Sequence, residues 1–102
     1  KGVRLIKKEV DVDAKSMKDI SFSLKNEKAL IVLLASKASG RVVLTLMISN
    51  DLVSKEYNAN KMINILAKHI GGSGGGQSFY ATAGGINING IDNALECVNE
   101  LI

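Results

Sequence analysis

A chain of 102 residues, 46% apolar and 23% charged, fits one domain able to bury a core without help from metal or disulfides. Cys97 is the sole cysteine, which excludes an internal disulfide and a cysteine zinc cluster and suits a reducing compartment. The net charge of +3 is uneven: residues 1–68 hold all thirteen Lys and Arg and seven acids, while 69–102 hold Asp92, Glu96, Glu100 and no base, a split compatible with phosphate binding or with a merely solvated lysine face.

No apolar run approaches the length of a membrane span, about 18 residues or more, and no signal-peptide pattern opens the chain. Its start at Lys1, without methionine and already strand-like, leads us to expect a piece of a longer protein. Residues 3–12 mix β-branched and charged side chains, predicting a partly exposed first strand. Asp13 is placed to cap a surface helix in which Met17, Ile20 and Leu24 form a buried stripe, ending at Asn26, Glu27 and Lys28. Residues 29–35 form a continuous apolar run, as in a strand covered on both faces. A turn over 37–41 containing Ser39 and Gly40, then residues 42–48, predict an antiparallel hairpin at the sheet's centre.

Ala59, Met62, Ile63, Leu66, Ala67 and Ile70 repeat at helical spacing, with Asn58 as cap and Gly71 as the left-handed stop. Asn60, Lys61, Asn64 and Lys68 fall on the opposite face. Then come a glycine loop over 71–76, a strand from about Ser78 to Ala83, a turn at Gly84 and Gly85, and a last helix striped by Ile91, Ala94, Leu95, Val98 and Ile102. The order β-α-β-β-α-β-α predicts an α/β fold, a mixed β-sheet with packed helices, in a single domain over 1–102.

Eight of the ten glycines fall between 71 and 90, in a chain without proline. Ordering glycine is entropically costly, so such a cluster belongs where side chains would obstruct. It is no P-loop, because Gln77 follows Gly76 where Gly-Lys-Ser/Thr is required. The dinucleotide fingerprint fails too, since this loop follows a helix and opens a strand. His69 and Cys97, each alone of its kind, make neither a metal site nor a nucleophile pair. Ser36, Ser39, Ser49 and Ser78 sit in no nucleophile-elbow context. Two readings of the loop stay open: a backbone-lined anion site, or close packing of helix, sheet and a partner.

The run Gly71-Gly72-Ser73-Gly74-Gly75-Gly76, then Gln77-Ser78-Phe79-Tyr80, then Ala81-Thr82-Ala83-Gly84-Gly85 resembles the signature of the C-terminal DHHA1-type domain of alanyl-tRNA synthetase. That signature reads G-G-x-G-G-G, four residues, A-x-A-G-G, and the surrounding elements follow the domain more loosely. The family commonly has Arg where this chain has Gln77; related phosphoesterases place His there, which argues against them as parent. The resemblance implies a DHHA1-like fold and a tRNA-contacting module at the outer corner of alanine-specific tRNA. It supports aminoacylation and editing performed by other domains of a cytoplasmic, class II alanine–tRNA ligase. ATP, magnesium and zinc are implied for that parent and none for this piece, which is expected to be monomeric and inactive alone. Alternatives are the substrate-gripping domain of a DHH-type nuclease or phosphoesterase, and a structural docking domain.

Under that resemblance, the expected RNA surface joins Asn60, Lys61, Asn64 and Lys68 to Gly72, Ser73, Gly74, Gly75, Gly76 and Gln77. Tyr57, Phe79 and Tyr80 are too few to stack a run of bases, which suits a structured RNA read by shape. Lys37 and Arg41 offer the next cationic surface. Gly74 and Gly75 are expected to resist a β-branched replacement, through positive φ and close approach.

Overall fold

The apolar run of the second strand decides the architecture, because alternate residues face opposite sides of a sheet and both sets here need cover. In the computed structural model, which describes residues 2–24, 26–38, 40–54 and 57–102, five strands form one mixed sheet. They are β1 (Arg4–Glu9), β2 (Leu30–Ala38), β3 (Arg41–Ile48), β4 (Gly72–Gly76) and β5 (Tyr80–Gly85), in the spatial order β1-β2-β3-β5-β4. β1 runs parallel to β2 across a helical crossover, and every other pairing is antiparallel. The expected central hairpin is present, its ladder reaching Ala38 opposite Arg41, so the turn is tighter than the five residues expected. Ser39, within that turn, lies outside the described residues.

Helix α1 (Ala14–Ser23) covers one face, and α2 (Ala59–Ala67) and α3 (Ile91–Glu100) cover the other. On the α2/α3 side, Ile31 and Leu33 of β2 join Leu44 and Leu46 of β3 and the stripe Met62, Ile63, Leu66 and Ile70. On the α1 side, Leu30, Val32 and Leu34 meet Met47 and Met17. Full burial of side chains of this size contributes about 1.5–3 kcal/mol each, before the entropy of ordering them.

Local chemistry sets the helix ends. Asp13 accepts the Ser16 amide at 2.8 Å, and Asn58 accepts the Lys61 amide at 3.1 Å, both as expected of N-caps. After α2 the chain tightens into a 3-10 turn, Lys68–Ile70, and Gly71 leaves it at φ 63°, the left-handed stop. A second 3-10 turn, Ile88–Gly90, leads into α3. The α1 stripe differs in one place: Ser21 is fully buried and Ile20 is 42% exposed. Spacings of three and four share a helix face, so either residue satisfies the periodicity, and α1 turns Ser21 rather than Ile20 inward.

The larger difference is the glycine run. It is an edge strand rather than a loop, and Gly84 and Gly85 continue β5 rather than turning. The observed order therefore carries one more strand than the expected β-α-β-β-α-β-α, within the same mixed sheet. Pairing explains it: β5 has an outer side open to a neighbour, and a strand of four glycines and Ser73 fits closely under α2.

Candidate nucleic-acid interface

The glycines answer to packing. A β-carbon at Gly72 would overlap the Gly84 carbonyl, and one at Gly74 would overlap the Thr82 carbonyl and the Ala83 side chain. At Gly76 it would lie 2.6 Å from the Ala81 α-carbon. These alternate positions thus face the backbone of β5, so β4 is drawn against its neighbour more closely than any side chain allows. Neither Gly74 nor Gly75 has positive φ, which corrects the conformational half of the expectation; the close-approach half holds at Gly74.

Backbone donors at the end of the run and on the adjoining start of α2 have protein acceptors. Gly76 donates to Asn60 Oδ1 at 3.2 Å, Gln77 to the Tyr80 carbonyl at 2.8 Å, and Ala59 to the Ser78 carbonyl at 2.8 Å. An extended strand does not curl into the concavity that an anion nest requires. The backbone anion site is therefore not formed by Gly74, Gly75 and Gly76.

The expected site residues do come together, in two groups with different work. Asn60 fastens the edge strand to α2, and Asn64 turns back on its own helix, donating to the Asn60 carbonyl at 2.8 Å. Lys61 and Lys68 are seven residues apart on the exposed side of α2 and its following turn, with no ion pair among the described residues. Gln77 is exposed at the corner of the β4–β5 turn. The hairpin cations are compromised: Lys37 pairs with Glu9 at 3.4 Å, and Arg41 shares its concavity with Asp11 and Asp13.

Among the described residues no three of His, Cys, Asp and Glu are grouped to hold a metal ion. Burial and the nearby Glu100 push the Cys97 thiol upward, away from the thiolate a nucleophile needs. His69 lies in the 3-10 turn, its carbonyl accepting the Asn87 side-chain amide at 3.3 Å.

Sequence reasoning missed the opposite side of the β4–β5 hairpin. There α1 presents Lys15 and Lys18 beside Tyr80 and Thr82, and Lys18 Nζ sits 5.4 Å from the centre of the Phe22 ring. Phe22 in turn meets Tyr80 edge-on at 4.9 Å between ring centres. The only sequence signal is the lysine spacing on α1, which does not say what it faces.

Residues 2–102 match the DHHA1 domain family. An alanine–tRNA ligase of Christiangramia forsetii is 41% identical over 99% of this chain, and one of Bacteroides thetaiotaomicron is 38% identical over 98%. The chain spans about 12% of the length of either. Among solved structures, the C-Ala domain from Aquifex aeolicus alanyl-tRNA synthetase superposes with a TM-score of 0.90 at 22% identity, covering 99% of this chain and 95% of that one. A DHH domain of a member of the s1p family of ribosomal proteins reaches 0.56 at 16% identity, covering 90% of this chain and 25% of that one. Both likenesses are of fold.

Proposed function

Because the chain belongs to the DHHA1 domain family, we propose that it is the tRNA-binding C-terminal module of an alanine–tRNA ligase. It would contact the outer corner of alanine-specific tRNA in the cytoplasm. Aminoacylation and editing would be performed by domains outside this chain, and ATP, magnesium and zinc would serve those domains. The observation that carries the reading is similarity over nearly the whole of this chain to alanine–tRNA ligases. Lys61 and Lys68, which make no ion pair among the described residues and stand beside the glycine-rich strand β4, support it.

In this reading Lys61 and Lys68 meet phosphates from α2, while Gly72, Ser73, Gly74, Gly75, Gly76 and Gln77 offer a low edge that a folded RNA can approach. Asn60 keeps that edge in place by accepting the Gly76 amide. RNA read by shape and backbone needs such a surface more than a stacking platform. Neither the Arg common in the family nor the His of the phosphoesterases stands at Gln77, so the charge must come from the flanking lysines.

The test is tRNA binding by the 102-residue chain at several salt concentrations. Wild type should bind with a clear salt slope, and Lys61→Ala with Lys68→Ala should reduce that slope by about one to two units. A wild-type chain that binds tRNA no better than a neutral protein of the same size overturns the reading.

A further inference from the structure

Nine of the ten glycines have a structural reason to be glycine. Gly2, Gly40 and Gly71 take left-handed φ of 79°, 77° and 63°. At Gly72, Gly74, Gly76, Gly85 and Gly90 a β-carbon would collide with the backbone of a neighbouring element, and at Gly75 it would press on Asn60 Oδ1 at 3.3 Å. Gly84 is the exception. Its φ is not left-handed, and a β-carbon there would meet only the Val42 carbonyl at 3.9 Å, an ordinary contact. Glycine weakens a strand interior, so one that packing does not require points to something approaching from outside.

What lies outside Gly84 is a trough. Gly84, Thr82 and Tyr80 are alternate residues of β5, sharing the sheet face of Val43 and Met47. α1 covers part of that face and leaves the rest as a cleft of about 550 Å³, walled by Lys15 and Lys18. Past Lys18 the cleft continues to Phe22, Phe79 and Gln77 at the hairpin tip. Among the described residues no carboxylate lines either stretch; the acids Asp11 and Asp13 stand at the far end, by Arg41, with Asp13 within electrostatic reach of Lys15. Lys15 and Lys18 are exposed and make no ion pair among the described residues.

We propose that this trough binds the sugar–phosphate backbone of RNA, on the side of the sheet opposite Lys61 and Lys68. The ammonium groups of Lys15 and Lys18 take phosphate oxygens, the exposed Thr82 hydroxyl takes a ribose hydroxyl, and Gly84 leaves the floor low enough for the strand to lie on it. The inference rests on the reading of this domain as an RNA-binding module and adds a contact site whose floor, Thr82 and Gly84, lies in the A-x-A-G-G part of the signature but whose cations, Lys15 and Lys18, lie outside it. An acidic segment of a neighbouring domain would match the charge, but it has less use for a polar hydroxyl beside a low glycine floor.

The test measures binding of alanine-specific tRNA by the 102-residue chain, with thermal melting of every variant. Lys15→Ala with Lys18→Ala should weaken binding roughly tenfold or more near 0.1 M salt and lower the salt slope by about one to two units. Lys8→Ala with Lys28→Ala, removing two charges elsewhere, should change binding less. Gly84→Val should melt at or above wild type, since valine favours strands, yet bind more weakly with the slope little changed. Should Gly84→Val fail to fold, the exposed lysine pair decides. Wild-type binding retained by the Lys15/Lys18 variant, as an acidic protein segment in the trough would give, overturns the proposal. Absence of binding by wild type would instead overturn the RNA reading itself.

Discussion

At Ala29 the backbone takes φ of 54°, a left-handed conformation that costs an L-residue about 1–2 kcal/mol. It persists because the Ala29 amide donates to both Asp51 carboxylate oxygens, at 2.9 and 3.1 Å, and its carbonyl accepts from Arg4 at 2.6 Å. The Ser49 hydroxyl completes the network, donating to Asp51 at 2.6 Å and accepting from the Leu30 amide at 3.0 Å. Ala29→Gly should therefore stabilise the fold by up to about 1 kcal/mol, the relief being partly offset by glycine's larger unfolded-state entropy. The Ser49 hydroxyl, more than the Ala29 amide, holds the Asp51 carboxyl below the usual carboxylate range against the opposing effect of burial. A carboxyl depressed in the folded state stabilises it above the ordinary value near 4 and loses that contribution as pH falls through the lowered value. Melting curves between pH 7 and pH 2 should show Asp51→Asn less stable at neutral pH, with the gap to wild type closing in acid. A gap that stays constant with pH would mean the charge plays no part.

Among the elements, β4 is the one the residues hide. A strand is read from alternating side chains, and Gly72, Gly74 and Gly76 offer none, while Gly75 between them erases the period of two. Its existence is written elsewhere, in the outer edge of β5 and the flank of α2 that carries Asn60. By contrast α2 and the 3-10 turn that ends it are legible, because six apolar residues at helical spacing, Ile70 of the turn included, all become buried. The candidate surface divides in the same way. Lys61 and Lys68 follow from one helix, whereas the trough needs α1 and β5, 57 or more residues apart, to be set side by side. Edge strands need protection, and here a single side chain supplies part of it. Asn60→Ala should cost about 1 kcal/mol in global stability. It should also speed amide exchange at Gly76 well beyond the change in the body of the sheet. Equal acceleration at Gly76 and Leu44 would show that Asn60 acts on the whole fold. Gly74→Val should cost about 1–3 kcal/mol or more by overpacking against Thr82 and Ala83, read as a lowered melting temperature.

At the scale of the whole molecule, two cores are built on the same strands. Ile31, Leu33 and Ala35 of β2 enter the core beneath α2 and α3, while Leu30, Val32 and Leu34 between them enter the core beneath α1. β3 divides likewise, with Leu44, Leu46 and Ile48 on one side and Met47 on the other. Neither core can be exposed without withdrawing a strand from the second, so the two should unfold as one cooperative unit in the manner of small single domains. Each core has its own tyrosine reporter: Tyr57 packs against the first and Tyr80 against the second. The variants Tyr80→Phe and Tyr57→Phe would leave one reporter each. Within either variant, urea unfolding followed by tyrosine fluorescence should coincide with far-ultraviolet circular dichroism. Ile63→Ala on one side and Met17→Ala on the other should each cost about 2–5 kcal/mol and shift both signals together. If Met17→Ala lowered the Tyr80 midpoint and left the Tyr57 midpoint in place, the shared strands would not couple the layers, and α1 would be a separately melting cover over the trough it walls.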